Sequence, residues 1–197
     1  MIYSRTARKD DLDLLNLPEL LNEYVSIPKK DGDYNSSPYK FWDYAIVLRI
    51  LSNELNNKGS VLNVSRTEDV VFNNICNNKG IKYSDITIDV IYNIPVRDNK
   101  FDVVCCLGSI EHYKKNWLGL IEKLNKHVKI GGYLVITTDE DTQNSKKRRI
   151  ITIENLLEIS LLLENMGYDF VSNSDHLIDY IYDTRTPSSL VMKRIGK

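Results

Sequence analysis

Two adjacent residues, Glu111 and His112, carry the sharpest chemistry in the chain. A neutral imidazole beside a carboxylate can take a proton from a hydroxyl or an amine, the work of a general base near neutral pH. The plainer role for the same pair is an acid at the positive end of a helix dipole, followed by a surface histidine. His127, close to a predicted helix C-terminus, reads as a dipole-compatible surface residue. His176 reads the same way, unless it belongs to a substrate loop. Cys105 and Cys106 are neighbours in an apolar run, so they point to opposite faces and read as core. No spacing of cysteine and histidine has the pattern of a structural zinc site. Lys146, Lys147, Arg148 and Arg149 form a basic run after Asp139, Glu140 and Asp141, which reads as a solvated loop of mixed charge. Tyr39, Trp42 and Tyr44 either cover a ligand or anchor the core.

Such residues need a scaffold, and the hydrophobic pattern supplies one. Residues 60–64, 101–107 and 133–138 are short, nearly continuous apolar runs, the mark of strands covered on both faces. Residues 81–91 alternate and are β-branched, so they read as extended, and 168–172 and 189–194 complete the strands. Helices are expected over 41–55, with Asn57 and Gly59 as the stop, and over 69–78, ended by Lys79 and Gly80. Two more are expected over 113–128, ended by Gly131 and Gly132, and over 152–166, capped by Gly167. Strand and helix alternating at this spacing predict an α/β fold: a doubly wound, mostly parallel sheet with helices on both faces. Ligands of such sheets lie across the carboxyl ends of the strands. The candidate site is therefore drawn from residues 65–69, 85–89, 108–112 and 137–141.

Residues 1–40 differ, with leucines at 12, 15, 20 and 21 broken by Pro18 and then a Pro-, Gly- and Asn-containing loop. They read as an N-terminal arm, with the main domain over 41–197. The whole chain has 197 residues, 26 basic and 27 acidic, for a net charge of −1. That balance argues against nucleic acid as the main partner. No run of about 18 apolar residues marks a membrane span. Three cysteines are too few for a disulfide scaffold and point to a reducing cytoplasm.

One stretch is more specific. Pro95, Asp98, Phe101 and Asp102 lead into the apolar run that ends near Glu111 and His112, and Lys129, Gly131 and Gly132 precede the next strand. Over residues 40–195 the chain resembles the class I S-adenosylmethionine-dependent methyltransferases, in which these turns occur in this order. Phe41-Trp42-Asp43-Tyr44 also resembles the aromatic helix before the first strand in some of them. The resemblance implies a Rossmann-like methyltransferase fold and S-adenosylmethionine as cofactor. It implies a cofactor site drawn from Asn63, Ser65, Glu68, Asp85, Asp89, Leu107 and Gly108, with His112 and Glu111 catalytic. Asn63 stands where the family has an acidic residue, and both glycines of its first turn are absent. Arg66 is placed to fill the position of the ligand's amino-acid tail. The resemblance assigns either Asp85 to the ribose hydroxyls or Asp89 to the neighbourhood of the adenine. Asp89 and Pro95 are only six positions apart, which leaves one strand–helix unit missing or collapsed. Two functions follow as expectations: methyl transfer to a small-molecule or saccharide-type acceptor, or a catalytically inactive module that binds a protein partner through its arm.

Overall fold

The computed structural model describes residues 38–93, 100–113, 116–140, 153–171 and 186–196. Residues 1–37 of the expected arm, Pro95, Asp98, the basic run at 146–149 and His176 lie outside these residues, while residues 38–40, expected in the arm, open the first helix. In chain order the elements are α1 (Pro38–Leu55), β1 (Ser60–Ser65), α2 (Val70–Asn78), β2 (Lys82–Thr87) and the one-turn α3 (Ile88–Ile91). They continue with β3 (Phe101–Leu107), a 3-10 turn (Ile110–His112), α4 (Trp117–His127), β4 (Val128–Glu140), α5 (Ile153–Asn165), β5 (Tyr168–Phe170) and β6 (Thr186–Arg194). The strands form one sheet in the order β2-β1-β3-β4-β6-β5. The first four run parallel, and β6 enters antiparallel between β4 and β5.

The apolar run of β3 shows why the sheet is sandwiched. Val103, Cys105 and Leu107 enter one core with α1 and α2, while Val104 and Cys106 enter the other with α3, α4 and α5. A strand buried on both faces cannot alternate with polar residues. Both cysteines are core, as expected. The doubly wound, mostly parallel architecture is the one the sequence predicts. Among the described residues β2 is an edge strand, and only the four-residue α3 follows it before residue 94.

Several boundaries differ from expectation for local reasons. Residues 88–91 are helical, not extended. Thr87 is still extended, and a single turn then buries Ile88 and Ile91, three apart on one face. The helix expected from 113 starts at Trp117, where the Asn116 side chain accepts the Gly119 N–H. It ends at His127, because β4 begins at once with Val128. Gly131 and Gly132 therefore lie inside β4, in a bulge where the register jumps between the pairs Phe101–Val128 and Val103–Tyr133. His127 is buried, contrary to expectation. Arg194 reaches the end of α4 and donates to the carbonyl oxygens of Asn125 and Val128, so this helix end is packed rather than solvated. α1 begins already at Pro38, where a missing N–H costs nothing. It stops through Asn56 and Asn57 at positive φ, while Gly59 has ordinary backbone and is needed for space beneath Leu51.

Candidate ligand crevice

The sheet opens between β1 and β3. The ladder between β1 and β3 ends at the pair Asn63–Cys105. The β1–β2 ladder continues to Ser65–Thr87, and the β3–β4 ladder to Leu107–Thr137. β1 and β3 thus part over their last two residues, at the point where strand order reverses. That is the crevice in which ligands of open α/β sheets bind.

On the β1 side the turn at 65–69 folds without glycine and without any residue at positive φ. Side chains hold it. Ser65 is buried and shares its hydroxyl proton between the Thr67 carbonyl oxygen at 2.5 Å and Asp85 at 3.1 Å. Asp85 also accepts the Asp69 N–H at 2.5 Å. Asp69 caps α2 by accepting the Phe72 N–H at 3.1 Å and takes the Tyr44 hydroxyl at 2.9 Å on each oxygen. Burial pushes the Asp85 carboxyl above its usual range, in spite of the lowering by its bonds to Asp69 and Ser65. Asn63 is wholly buried beneath this turn, donating to the Tyr83 hydroxyl at 3.2 Å and facing Cys105. Arg66 and Glu68 are exposed, and Asp89 is exposed in the first turn of α3. Ser65, Asp69 and Asp85 therefore come together, while Glu68 and Asp89 join no bonded cluster with them in the described residues.

On the β3 side the backbone turns at Gly108, whose φ is +51°. Its N–H donates to Thr137, to the carbonyl oxygen at 3.1 Å and the hydroxyl at 2.9 Å. The next residues wind into the 3-10 turn, which carries Glu111 inward and His112 outward. Glu111 is buried and accepts the Thr138 hydroxyl at 3.4 Å. His112 Nε2 lies 3.7 Å from Glu111 Oε1, with its side chain 39 % exposed. The pair sets a buried carboxylate within ion-pair distance of a half-open imidazole, a group that can change charge near neutral pH.

Two residues of this crevice were not found from the sequence. Lys40 of α1 places Nζ 2.6 Å from the Leu107 carbonyl oxygen and 3.4 Å from Oδ2 of the buried Asp43. The one signal was their i, i+3 spacing, which any surface ion pair shares. The same carbonyl accepts the Ser109 hydroxyl at 3.1 Å, and Ser109 Oγ in turn accepts the Arg66 N–H at 3.4 Å across the crevice. A carbonyl oxygen and a buried carboxylate form an acceptor set for an ammonium, and here the Lys40 ammonium occupies it.

A sequence model of the methyltransferase domain family matches residues 41–186. No curated protein matches the sequence. Among solved structures, 1,6-didemethyltoxoflavin-N1-methyltransferase of Burkholderia thailandensis superposes with a TM-score of 0.56 at 12% identity, over 96% of this chain and 92% of that one. The N-methyltransferase NodS of Bradyrhizobium japonicum, solved with S-adenosylhomocysteine, gives 0.56 at 12% identity, over 90% and 98%. An S-adenosylmethionine-dependent methyltransferase of Clostridium acetobutylicum gives 0.55 at 13% identity, over 93% and 100%. At such identity the likeness is one of fold.

Proposed function

The chain belongs to the class I S-adenosylmethionine-dependent methyltransferase family, and we propose that its crevice serves methyl transfer to an oxygen or nitrogen of a small-molecule or saccharide-type acceptor. One observation carries the reading: β1 and β3 part at the switch point, and the end of β3 there carries both a cation-accepting set, the Leu107 carbonyl with Asp43, and the Glu111–His112 pair. The chemistry of this acceptor set fits S-adenosylmethionine, whose amino-acid end bears an ammonium. Leu107 and Asp43 would accept that ammonium, and the turn held by Ser65 and Asp85 would border the rest. When bound, the cofactor supplies an electrophilic methyl group on a sulfonium.

The chain's own residues do the remaining work. His112 takes the proton from the acceptor as its oxygen or nitrogen becomes nucleophilic. Glu111 steadies the imidazolium that results, and Thr138 fixes the Glu111 carboxylate by donating to it. Holding the two reactants in line supplies most of the acceleration. In an acceptor-dependent assay His112→Ala should lower kcat about 100-fold or more, with the affinity for S-adenosylhomocysteine unchanged. An equal loss in both would place His112 in binding rather than proton transfer.

The test of the reading itself is calorimetric titration with S-adenosylmethionine and S-adenosylhomocysteine. Saturable heat is expected, and none at millimolar ligand would overturn it. That outcome would favour a second reading, a catalytically inactive module that docks a protein partner through its N-terminal arm. Its support is the turn at 65–69, which lacks glycine and is closed by its own side chains. A cytoplasmic setting is part of the proposal and is supported by Cys76, Cys105 and Cys106, all free and buried thiols. No helix among the described residues is long and apolar enough to cross a membrane.

A further inference from the structure

We propose that Lys40 is a built-in competitor for the ligand's ammonium, so that the crevice is held self-occupied until the donor displaces it. The inference rests on the reading of the crevice as the site of a donor with an amino-acid end.

Three observations carry it. The Lys40 ammonium lies at 2.6 Å on the Leu107 carbonyl, at the carboxyl end of β3, the strand that borders the opening. Asp43 supplies the negative partner at 3.4 Å, with Lys40 and Asp43 side chains only 19% and 6% exposed. The ammonium also sits against Gly108, where a Cβ would come within 2.9 Å of Nζ and 3.6 Å of Asp43 Oδ2. The cation thus fills the space that the glycine leaves open. Two donors, Lys40 and the Ser109 hydroxyl, already share the Leu107 carbonyl oxygen. A ligand ammonium that takes this oxygen and Asp43 competes with Lys40, which fills the same space beside Gly108. Replacing Lys40 exchanges like for like: one ammonium leaves Asp43 and another arrives. The long lysine stem lets Nζ swing toward solvent without moving α1. An affinity measured under these conditions is reduced by the fraction of molecules whose site is open.

The experiment compares two ligands on three proteins. The ligands are S-adenosylhomocysteine and its analogue with hydrogen in place of the α-ammonium. The proteins are wild type, Lys40→Met and Lys40→Arg, and the reading is the ratio of the two Kd values by calorimetry. In the wild type the ratio is expected near one, because the ammonium's gain is offset by displacing Lys40. In Lys40→Met, S-adenosylhomocysteine should bind about tenfold more tightly, with the analogue little changed, so the ratio rises. Lys40→Arg keeps a cation and should keep the wild-type ratio. A wild-type protein that already favours the ammonium tenfold overturns the proposal without any variant. So does a Lys40→Met protein whose ratio is unchanged, or whose affinity for S-adenosylhomocysteine falls. Absence of heat with both ligands on wild type and both variants is a different failure, that of the donor site itself. A melting curve of Lys40→Met should show a lower Tm than wild type without ligand and a larger rise with S-adenosylhomocysteine.

Discussion

At each end of β3 a lysine meets an aspartate, and the two ends use that pair differently. At the amino end Asp102 accepts the Ser60 N–H at 2.8 Å and its hydroxyl at 2.7 Å, and Lys129 reaches the other oxygen at 2.9 Å. Those partners come from β1 and β4, the strands already paired with β3, and the group is open to water, with Lys129 45% exposed. It staples strands that run together. At the carboxyl end Lys40 comes from a helix 67 positions away and reaches a main-chain oxygen where β1 and β3 have parted. There, side chains bridge a gap that the ladder leaves. The lesson is one of place: a partly open ion pair between paired strands ties the sheet together, while a buried pair on α1 that reaches a free strand end holds a position beside the opening.

Substitutions at the two ends test that contrast. The largest effect is expected from Asp69→Ala, which removes the α2 cap and leaves the buried Tyr44 hydroxyl without its acceptor. A cap and an unsatisfied buried group together cost about 3 kcal/mol, read as a lower midpoint in urea unfolding. A loss under about 1 kcal/mol would mean that the carboxyl-end turn does not depend on this network. Next comes Gly132→Ala at the amino end. An added Cβ there would stand 2.8 Å from the Asp102 carbonyl oxygen and 3.0 Å from that of Lys129, both backbone atoms that cannot swing aside. Overpacking of this kind costs about 2 kcal/mol, measured in the same way. It should leave S-adenosylhomocysteine binding unaltered, since the bulge lies at the end of the sheet away from the crevice.

The contrast also explains what could be read from the sequence. β3 and the middle of β4 were legible because a doubly covered strand must be continuously apolar. α2 was legible because Asp69 stands where a cap belongs and Gly80, at φ +69°, where the chain turns away. Residues 88–91 misled because β-branched side chains favour a strand, whereas burying Ile88 and Ile91 together required a turn of helix. Glu111 and His112 announced themselves by type. Lys40 and Asp43 did not, since a lysine and an aspartate three apart look like any helix surface until the fold brings residue 107 beside them. A cation in the crevice was anticipated, but at Arg66; Arg66 faces solvent and contributes its main-chain N–H instead. The glycine-free turn was visible as a departure, and its remedy was not. Ser65, Asp69 and Asp85 are scattered in sequence and meet only once β1 and β2 pair in register.

The smallest effect expected is also the one that separates the two ends by sign. Burial would raise the Asp102 carboxyl, but its bonds to Lys129 and Ser60 outweigh this and hold it below the usual range. A carboxylate whose pKa is lowered by folding stabilises the fold above its unfolded value, near about 3.9, and loses that contribution as pH falls through the folded value. Asp102→Asn should therefore cost about 1 kcal/mol at pH 7, or about 3 °C in Tm for a domain of this size. The gap to wild type should hold steady down to about pH 5 and close below about pH 4. Asp85 at the carboxyl end is shifted the other way, since burial raises its carboxyl. Its stabilising form is the protonated one, present below the unfolded pKa and lost as pH rises through the raised folded value. Relative to Asp85→Asn, the wild type should thus gain stability over the same descent in pH. Melting curves of the three proteins from pH 7 to pH 3.5 must then show difference slopes of opposite sign. Slopes of the same sign would mean that the two carboxylates share one environment, and that the partly open staple and the buried turn are not distinct.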